Sequence, residues 1–563
     1  MSVPNRNNVN LALGLQSDPG VIPLIVGIVG HRDPSPDAIS SIVNKFESVL
    51  ASIIDICPNT PIWMLNGLAS GMDTIAAEAF LRIARVSLNR GSLVGATAVD
   101  KLCAVLPKPQ RDYAYDFDSI EQLARLERLL HRSDSVICPE SSAELRTDPR
   151  MMSNESECYA LQGEFIAKYS YVLIAFYDGI DTGLLGGTSQ TLANHKGDCH
   201  SLFHSTEEIL SSREPGVTLI IDTPRLSSEG LTKPSKICSE TIGLPKALIK
   251  TCNYLESINS VISPESFIPS QYDDIEGSFT SLWTYADKMA GNLKQRYESI
   301  AILLVIIGFL LVATAELSGD KSALGWGLVF VAFGLFPRIQ KKLQKPFLTN
   351  RCLAESLTIQ YIWSTLGIDI DVADLLLSQG QDELNQIRVI LRSVAFQLKA
   401  INTNNPLDYQ IVLTKAHIWL QGQIDFLGRR IQLYQLLVIR WRRVSYTMAA
   451  LALLTASMQL ILPMIEWLSS LVPILLAGFA SSFAYQELMG YEQTFERYEI
   501  SIVKFKRASE ALRFLDGAPC QYSEEIDDPL YRHKLVLKAI GVEKIDELNE
   551  WMSNQLEKTY QPG

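Results

Sequence analysis

The chain lacks most of the signatures that assign chemistry at a glance. Its nine cysteines, at 57, 103, 138, 158, 199, 238, 252, 352 and 520, form no CxxC pair and no metal-ligand spacing, which argues against a disulfide framework or a zinc module. Reduced, buried thiols are the expectation. It has no excess of positive charge: 50 Lys and Arg against 62 Asp and Glu leave a net charge of -12, too negative for a general nucleic-acid binder. There is no P-loop and no apparent Ser-His-Asp set. His195, His200 and His204 are spaced five and four apart in a stretch bearing Gly and Asp, so a metal site there is a minor alternative. The start, MSVPNRNNVNLALGLQSDPG, has no basic segment followed by an apolar run, so any membrane insertion is expected to rely on internal segments.

Apolar residues, in contrast, are plentiful. They make up 47% of 563 residues, giving a mean hydropathy of +0.10 despite 20% charged residues. They are concentrated in four runs. Ser299–Ala315 and Ala323–Phe336 are uncharged, short for a bilayer that takes about 20 apolar residues per helix, and joined by a loop around Gly319–Ser322. Val444–Ile465 and Trp467–Gln486, separated only by Glu466, are the stronger pair. The flanks of both hairpins are basic, for example Arg338, Lys341, Lys342 and Lys345 after the first and Arg440, Arg442 and Arg443 before the second. The two inter-helix loops hold only Lys321. Basic flanks mark the cytoplasmic side, so both hairpins are expected to enter and return, with every large soluble part on that side. A soluble bundle with unusually apolar helices is the alternative.

Residues 21–225 alternate apolar strand runs with helical stretches, as in an open parallel α/β sheet. The expected strands are Pro23–Val29, Ile62–Leu65, Leu102–Leu106, Ser135–Cys138, Tyr171–Phe176 and Val217–Ile221. Ligands of such sheets lie beyond the carboxyl ends of the strands, which directs attention to the loops there. The first is Gly30, His31, Arg32, Asp33, in which the two basic side chains can donate to phosphate or a base. The second, from Asn66, Gly67 and Ser70 to Gly71 and Asp73, opens a helix whose free N–H groups, under a Ser or Asp cap, suit a phosphate. A helix cap alone would also account for it. After the fifth strand come Asp178 and Gly179, then Gly186, Gly187 and Thr188 opening another helix. Asp178 suits ribose hydroxyls, or caps a turn. Three such loops on three strands make coincidence a poor explanation.

The set GHRD, GLASGMD and AFYDG followed by GGT resembles the SLOG superfamily, which groups the DNA-processing protein A fold, the cytokinin-activating LOG enzymes and nucleotide sensors. GLASGMDTIAAEA is similar to the S-G-x-A-x-G-x-D-x-x-A-H region of the DNA-processing family. The chain departs from the LOG enzymes where they carry PGGxGTxxE with a catalytic glutamate: here the run is Leu185-Gly186-Gly187-Thr188-Ser189-Gln190-Thr191, with no acid. The resemblance therefore implies binding without turnover, no catalytic residues and no cofactor. The implied ligand is a nucleotide derivative, either a cyclic oligonucleotide or an ADP-ribose derivative. A membrane-tethered nucleotide-processing enzyme, using Asp73, Glu78 or Asp178, is the alternative.

The two hairpins sit between amphipathic segments of similar character, a duplication signal. A two-helix hairpin, a following helix with Ala354-Glu355, and a helix with Ile387-Arg388 and Arg392 resemble the SLATT membrane effector modules of bacterial conflict systems, over roughly residues 275–515 as a tandem pair. The resemblance implies anti-phage defence by pore formation or membrane disruption in the bacterial inner membrane. It also implies a homo-oligomer in contact with lipids and a signal made by a partner cyclase or TIR-type enzyme. The expected layout is a tail (1–20), an α/β nucleotide-binding domain (21–265), a connecting helix (266–298), transmembrane hairpin 1 (299–337), a cytoplasmic helical region (338–443), transmembrane hairpin 2 (444–486) and C-terminal helices (487–563).

Overall fold

A computed structural model describes residues 21–84, 99–139, 155–181, 183–197, 216–228, 244–262, 280–317, 323–368, 370–376, 382–404, 409–462, 464–517 and 531–560. Side chains at 318–341 and 401–409 lie outside the described set. The chain divides into two compact units: residues 1–285 with 356–407, and residues 286–355 with 408–563.

The first unit is the expected α/β fold. Its strands are β1 (Leu24–Gly30), β2 (Ile62–Asn66), β3 (Lys101–Val105), β4 (Ser135–Ile137), β5 (Val172–Tyr177) and β6 (Val217–Asp222). Every pairing is parallel, in the order β4-β3-β2-β1-β5-β6. The order reverses direction between β1 and β5. That is where the crossover helices diverge and a crevice opens at the carboxyl ends. Strands buried on both faces read as continuous apolar runs, and β1, LIVGIVG, and β5, VLIAFY, do so.

Helices cover both faces. One carries α1 (Pro36–Ile56), whose Phe46 meets Phe176 edge-on at 5.5 Å. Between β2 and β4 lie α2 (Met72–Ile83) and α3 (Ile120–Arg132). On the other face are α4 (Glu155–Tyr169) and α5 (Thr188–Lys196), with Phe165, Tyr169 and Leu192 in one core with Trp63, Leu65 and Leu173. Next, α6 (Lys246–Ile262) closes the amino edge, where the Asn259 side chain bonds both Ile22 N–H and Ile22 C=O at 2.9 Å.

Later in the chain, α9 (Asp382–Asn404) supplies Phe396, Ala395 and Ala400 to the same core, Phe396 lying 5.6–6.2 Å from the rings of Tyr169, Trp63 and Phe165. Its Arg392 pairs with Asp374 at 2.8 Å and Asp371 at 3.4 Å, and Lys168 of α4 pairs with the same two acids. Thus Ile387, Arg388 and Arg392 are buried against the sheet unit. The limits of the two units at 355/356 and 407/408 fall within the helical region read from the sequence at 338–443.

The second unit is helical. Two long helices, α7 (Thr280–Leu317) and α8 (Ala323–Leu366), begin in one unit and end in the other. They are followed, after α9, by α10 (Tyr409–Ile461), α11 (Glu466–Met489), α12 (Tyr491–Gly517) and α13 (Tyr531–Tyr560). Three helical stretches among the described residues are long and apolar enough to cross a membrane: Ser281–Glu316, Leu413–Ile461 and Trp467–Gly517, whose most apolar 18-residue windows have mean hydropathies of 2.5, 1.5 and 1.6. Little of each apolar window is covered by protein: 6%, 17% and 11%. Leu453, Leu454 and Leu460 are 71%, 61% and 87% exposed, which in water would be a large unpaired apolar surface. The expected fourth span, Ala323–Phe336, is helical within α8 but its side chains lie outside the described residues.

Both helices of the second hairpin are among the three, in keeping with its being the stronger pair, and the first helix of the first hairpin, although its uncharged run is short, has the most apolar window of the three. The second hairpin turns at residues 462–465. At the end of the pair far from that turn, α10 and α11 are joined by Ser445 and Ser482 hydroxyls at 2.8 Å and by Gln486 donating to Ser445 at 2.8 Å. Small polar contacts of this kind hold helices together where hydrophobicity gives no preference for a neighbour over lipid.

Candidate functional site at the switch point of the sheet

The residues singled out in the sequence converge on the carboxyl ends of β1, β2 and β5. His31 follows β1 and Asp178 follows β5, and they meet across the switch point, with His31 Nε2 3.1 Å from Asp178 Oδ1. The Asp178 backbone N–H also lies 3.1 Å from Nε2. An Nδ1–H tautomer accepts from that N–H, whereas a proton on Nε2 is donated to the carboxylate. Burial lowers the His31 pKa from its ordinary value, opposed by Asp178. Asp178 is wholly buried; its Oδ1 also accepts from Ile180 N–H at 3.0 Å, while Oδ2 has no hydrogen-bond partner. It therefore acts as the turn cap, one of the two roles weighed for it above.

The second loop is built differently from expectation. Neither Ser70 nor Asp73 caps α2: the N-cap is Gly71, with no side-chain cap bond. Gly71 has φ 103°, and a Cβ there would stand 2.4 Å from the Arg32 carbonyl oxygen. Only glycine lets the two loops pass this closely. The Met72 N–H is given to the His31 carbonyl at 3.0 Å and the Thr74 N–H to the Ala69 carbonyl at 3.3 Å, so these N–H groups serve the scaffold. Asn66, buried at the end of β2, holds the loop by donating to the Asp73 carbonyl at 2.9 Å and accepting from Leu68 N–H at 2.7 Å.

Asp73 instead lies in the first turn of α2, buried, with Oδ1 lacking a hydrogen-bond partner. Burial pushes its pKa up to about 7, with Arg32 pulling it back. Such a carboxyl changes protonation within the physiological range.

The third loop carries Gly179 and Gly186, both at positive φ, 85° and 78°. At Gly186 a Cβ would fall 2.5 Å from Tyr159 Cβ, so the glycine brings this loop against α4. Gly187 is the N-cap of α5, its carbonyl accepting from Thr191 N–H at 3.1 Å while its own N–H is donated to the Leu184 carbonyl at 3.1 Å, and Gly186 N–H is taken by the Gln190 side chain. The open first-turn N–H groups are those from Thr188 onward, as helix geometry requires.

Several residues that line the same end escaped the sequence reading. Lys108 follows β3, 2.9 Å from Asp116 and 5.7 Å from the Tyr159 ring centre. Arg32 lies over the same ring at 5.1 Å. Tyr159 donates its hydroxyl to Asp116, and burial with this bond pushes its pKa up to about 12. Tyr113 donates to the Gly67 carbonyl at 3.1 Å. The signal existed: Pro107-Lys108-Pro109 stands at the end of a strand read correctly, and the rule applied to the other strands covers it. The end of the sheet thus presents two cations on one tyrosine, two buried carboxylates and a helix N-terminus.

His195 is tied to Ser170 C=O at 3.0 Å and Thr218 Oγ1 at 2.9 Å, while His200 and His204 lie outside the described residues; among those described, no group of His, Cys, Asp or Glu is arranged to hold a metal. A small cavity at the opposite, amino edge is lined by Lys168, Ser170, His195 and Arg392. Its two cations are already paired with Asp371 and Asp374, so the carboxyl edge is the better candidate. No protein-family model matches the chain, and no curated protein matches it.

Proposed function

We propose that the α/β unit binds a phosphate-bearing nucleotide derivative at the switch point and that binding drives the membrane helices to assemble and permeabilise a bilayer. The observation that carries this reading is the convergence of Arg32, Lys108, His31 and the α5 N-terminus at the carboxyl edge of the strands, in a chain whose later helices expose long apolar faces. Cyclic oligonucleotides and ADP-ribose derivatives both offer the phosphates and ribose hydroxyls this edge suits. The resemblances to SLOG sensors and SLATT effectors put such a device in bacterial anti-phage defence, with the signal made by a partner cyclase or TIR-type enzyme. On this reading the chain is a four-span protein of the inner membrane with its soluble parts cytoplasmic, as the basic flanks favour. Binding can drive assembly only if the ligand prefers the assembled state. Calorimetry of the purified chain against cyclic oligonucleotides and ADP-ribose derivatives tests the reading: binding abolished by Arg32→Ala is expected, and silence across the whole panel would reject it.

Asp73 favours a second reading, a membrane-tethered nucleotide-processing enzyme. A buried carboxyl with a pKa of about 7 and an oxygen without a partner has the properties of a general acid or base. Glu78, in contrast, is paired with Arg125. Incubation with NAD and nucleotides, followed by chromatography, separates the readings: product formed by the native chain and lost in Asp73→Asn would establish the enzyme.

A further inference from the structure

The Asp73 carboxyl is enclosed by the ends of two strands. It fills the space beside the glycines where β1 and β2 end: a Cβ at Gly30 would stand 3.4 Å from Oδ1, and one at Gly67 3.2 Å from Oδ2. The side chain makes no ion pair among the described residues, and Oδ1 has no hydrogen-bond partner. In such a place the neutral form of a carboxyl is favoured unless a cation stands near.

The charged groups around it are few and, with one exception, already compensated. Beyond β1, His31 is on Asp178 at 3.1 Å and Asp33 on Arg225 at 2.8 Å. Beyond β3, Lys108 is on Asp116 at 2.9 Å, and on α2 itself Glu78 is held by Arg125 of α3. Burial pushes up the hydroxyls of Tyr113 and Tyr159, the latter to about 12, so both stay neutral. The exception is Arg32, which is exposed, lies over the Tyr159 ring and makes no ion pair among the described residues. The crossing at Gly71 fixes its backbone beside the start of α2, and its charge opposes the effect of burial on Asp73.

Arg32 thus serves two anions. With the site empty, its charge favours ionised Asp73. A phosphate on the guanidinium offsets that charge and adds a negative one nearby, and both changes favour the neutral carboxyl. Because linkage is reciprocal, protonation of Asp73 must in turn strengthen binding.

We propose that a phosphate-bearing ligand is bound at the switch point together with one proton, taken up by the Asp73 carboxyl, so that a fall in pH tightens binding. This rests on the binding reading given above and adds pH as a second input to the same site. The carboxyl titrates near pH 7 in the empty site and higher once phosphate is present, so the gain accrues as pH falls toward 7 and levels off below it.

The test is calorimetry of the full chain in detergent with a cyclic dinucleotide and with ADP-ribose. Neither probe has a phosphate that titrates between pH 6 and pH 8.5, so a proton taken up goes to the protein. Affinity for a probe that binds should rise about fivefold or more from pH 8.5 to pH 6. At pH 7.5 the heat should differ between Hepes and Tris in the sense of proton uptake. Asp73→Asn should bind equally at both pH values, with no buffer dependence, whereas His31→Gln should keep the uptake. A native affinity that is flat or rises with pH overturns the inference. Loss of the uptake in His31→Gln would assign the proton to the histidine and overturn it as well. Absence of binding by both probes at either pH would remove the binding reading itself.

Discussion

The two units use hydrophobic residues in opposite ways. In the α/β unit, Leu24, Val26, Leu65, Leu173 and Ile174 are fully buried, and the strand ends hold the polar groups. In the helical unit the apolar windows are 6–17% buried, with Tyr434, Ser445, Ser482 and Tyr485 among the buried residues, and apolar side chains such as Leu420, Leu427, Phe505 and Leu512 are buried in other parts of the same helices. One unit turns its longest apolar runs inward, away from water; the other turns most of the surface of its longest apolar runs outward. The difference identifies the solvent each unit is built for.

Substitutions can break this contrast from either side. Phe396→Ala, which removes a ring from the sheet core, should cost the α/β unit about 3–5 kcal/mol, seen as a lower denaturation midpoint. If the cost is under about 1 kcal/mol, α9 is not part of that core. Leu453→Arg changes an exposed residue and in water should be nearly neutral. At a lipid-facing site it costs about 2.5–3.5 kcal/mol of insertion, so the membrane-extracted fraction should fall several-fold; unchanged insertion would contradict the outward-facing spans.

The pH dependence comes next. The Asp73 carboxyl titrates near pH 7 when folded, against an ordinary value of 3.8, so the native state holds the proton more tightly than the unfolded chain. Its contribution is most favourable below pH 4 and is lost as pH rises through 7, about 4 kcal/mol in all, of which roughly 2–3 kcal/mol is lost above pH 5. Asp73→Asn should flatten that part of the stability profile, measured by urea titration at pH 5 and pH 8. An unchanged slope would show that the carboxyl is not buried as described. The smallest effect is expected for Ser445→Ala, about 1 kcal/mol, from loss of the hydroxyl contacts to Ser482 and Gln486.

How much of this was legible follows from the range of the forces involved. The six strands were readable to within a residue or two, because a strand buried on both faces is a local apolar run. His31 and Asp178 were readable too, since their place depends only on strand ends. The membership of α9 in the sheet core was not, because Phe396 meets Trp63 across more than three hundred residues of chain and no local pattern encodes that pairing. The absent side-chain cap on α2 was equally hidden. It follows from the crossing of the Gly71 and Arg32 backbones, a tertiary close approach that overrides the local preference for Ser or Asp. Tyr113 and Tyr159 join the site from helical segments on either side of β4, with no strand end to mark them.

The central claim joins the two units: occupancy of the switch point in one changes what the other does to a bilayer. Dye release from vesicles holding the full chain tests it directly, with cyclic oligonucleotides and ADP-ribose derivatives added in turn. The account predicts that at least one of them releases dye from vesicles with the native chain and not from those with Arg32→Ala. Release that is independent of every ligand, or equal in the two proteins, would contradict it.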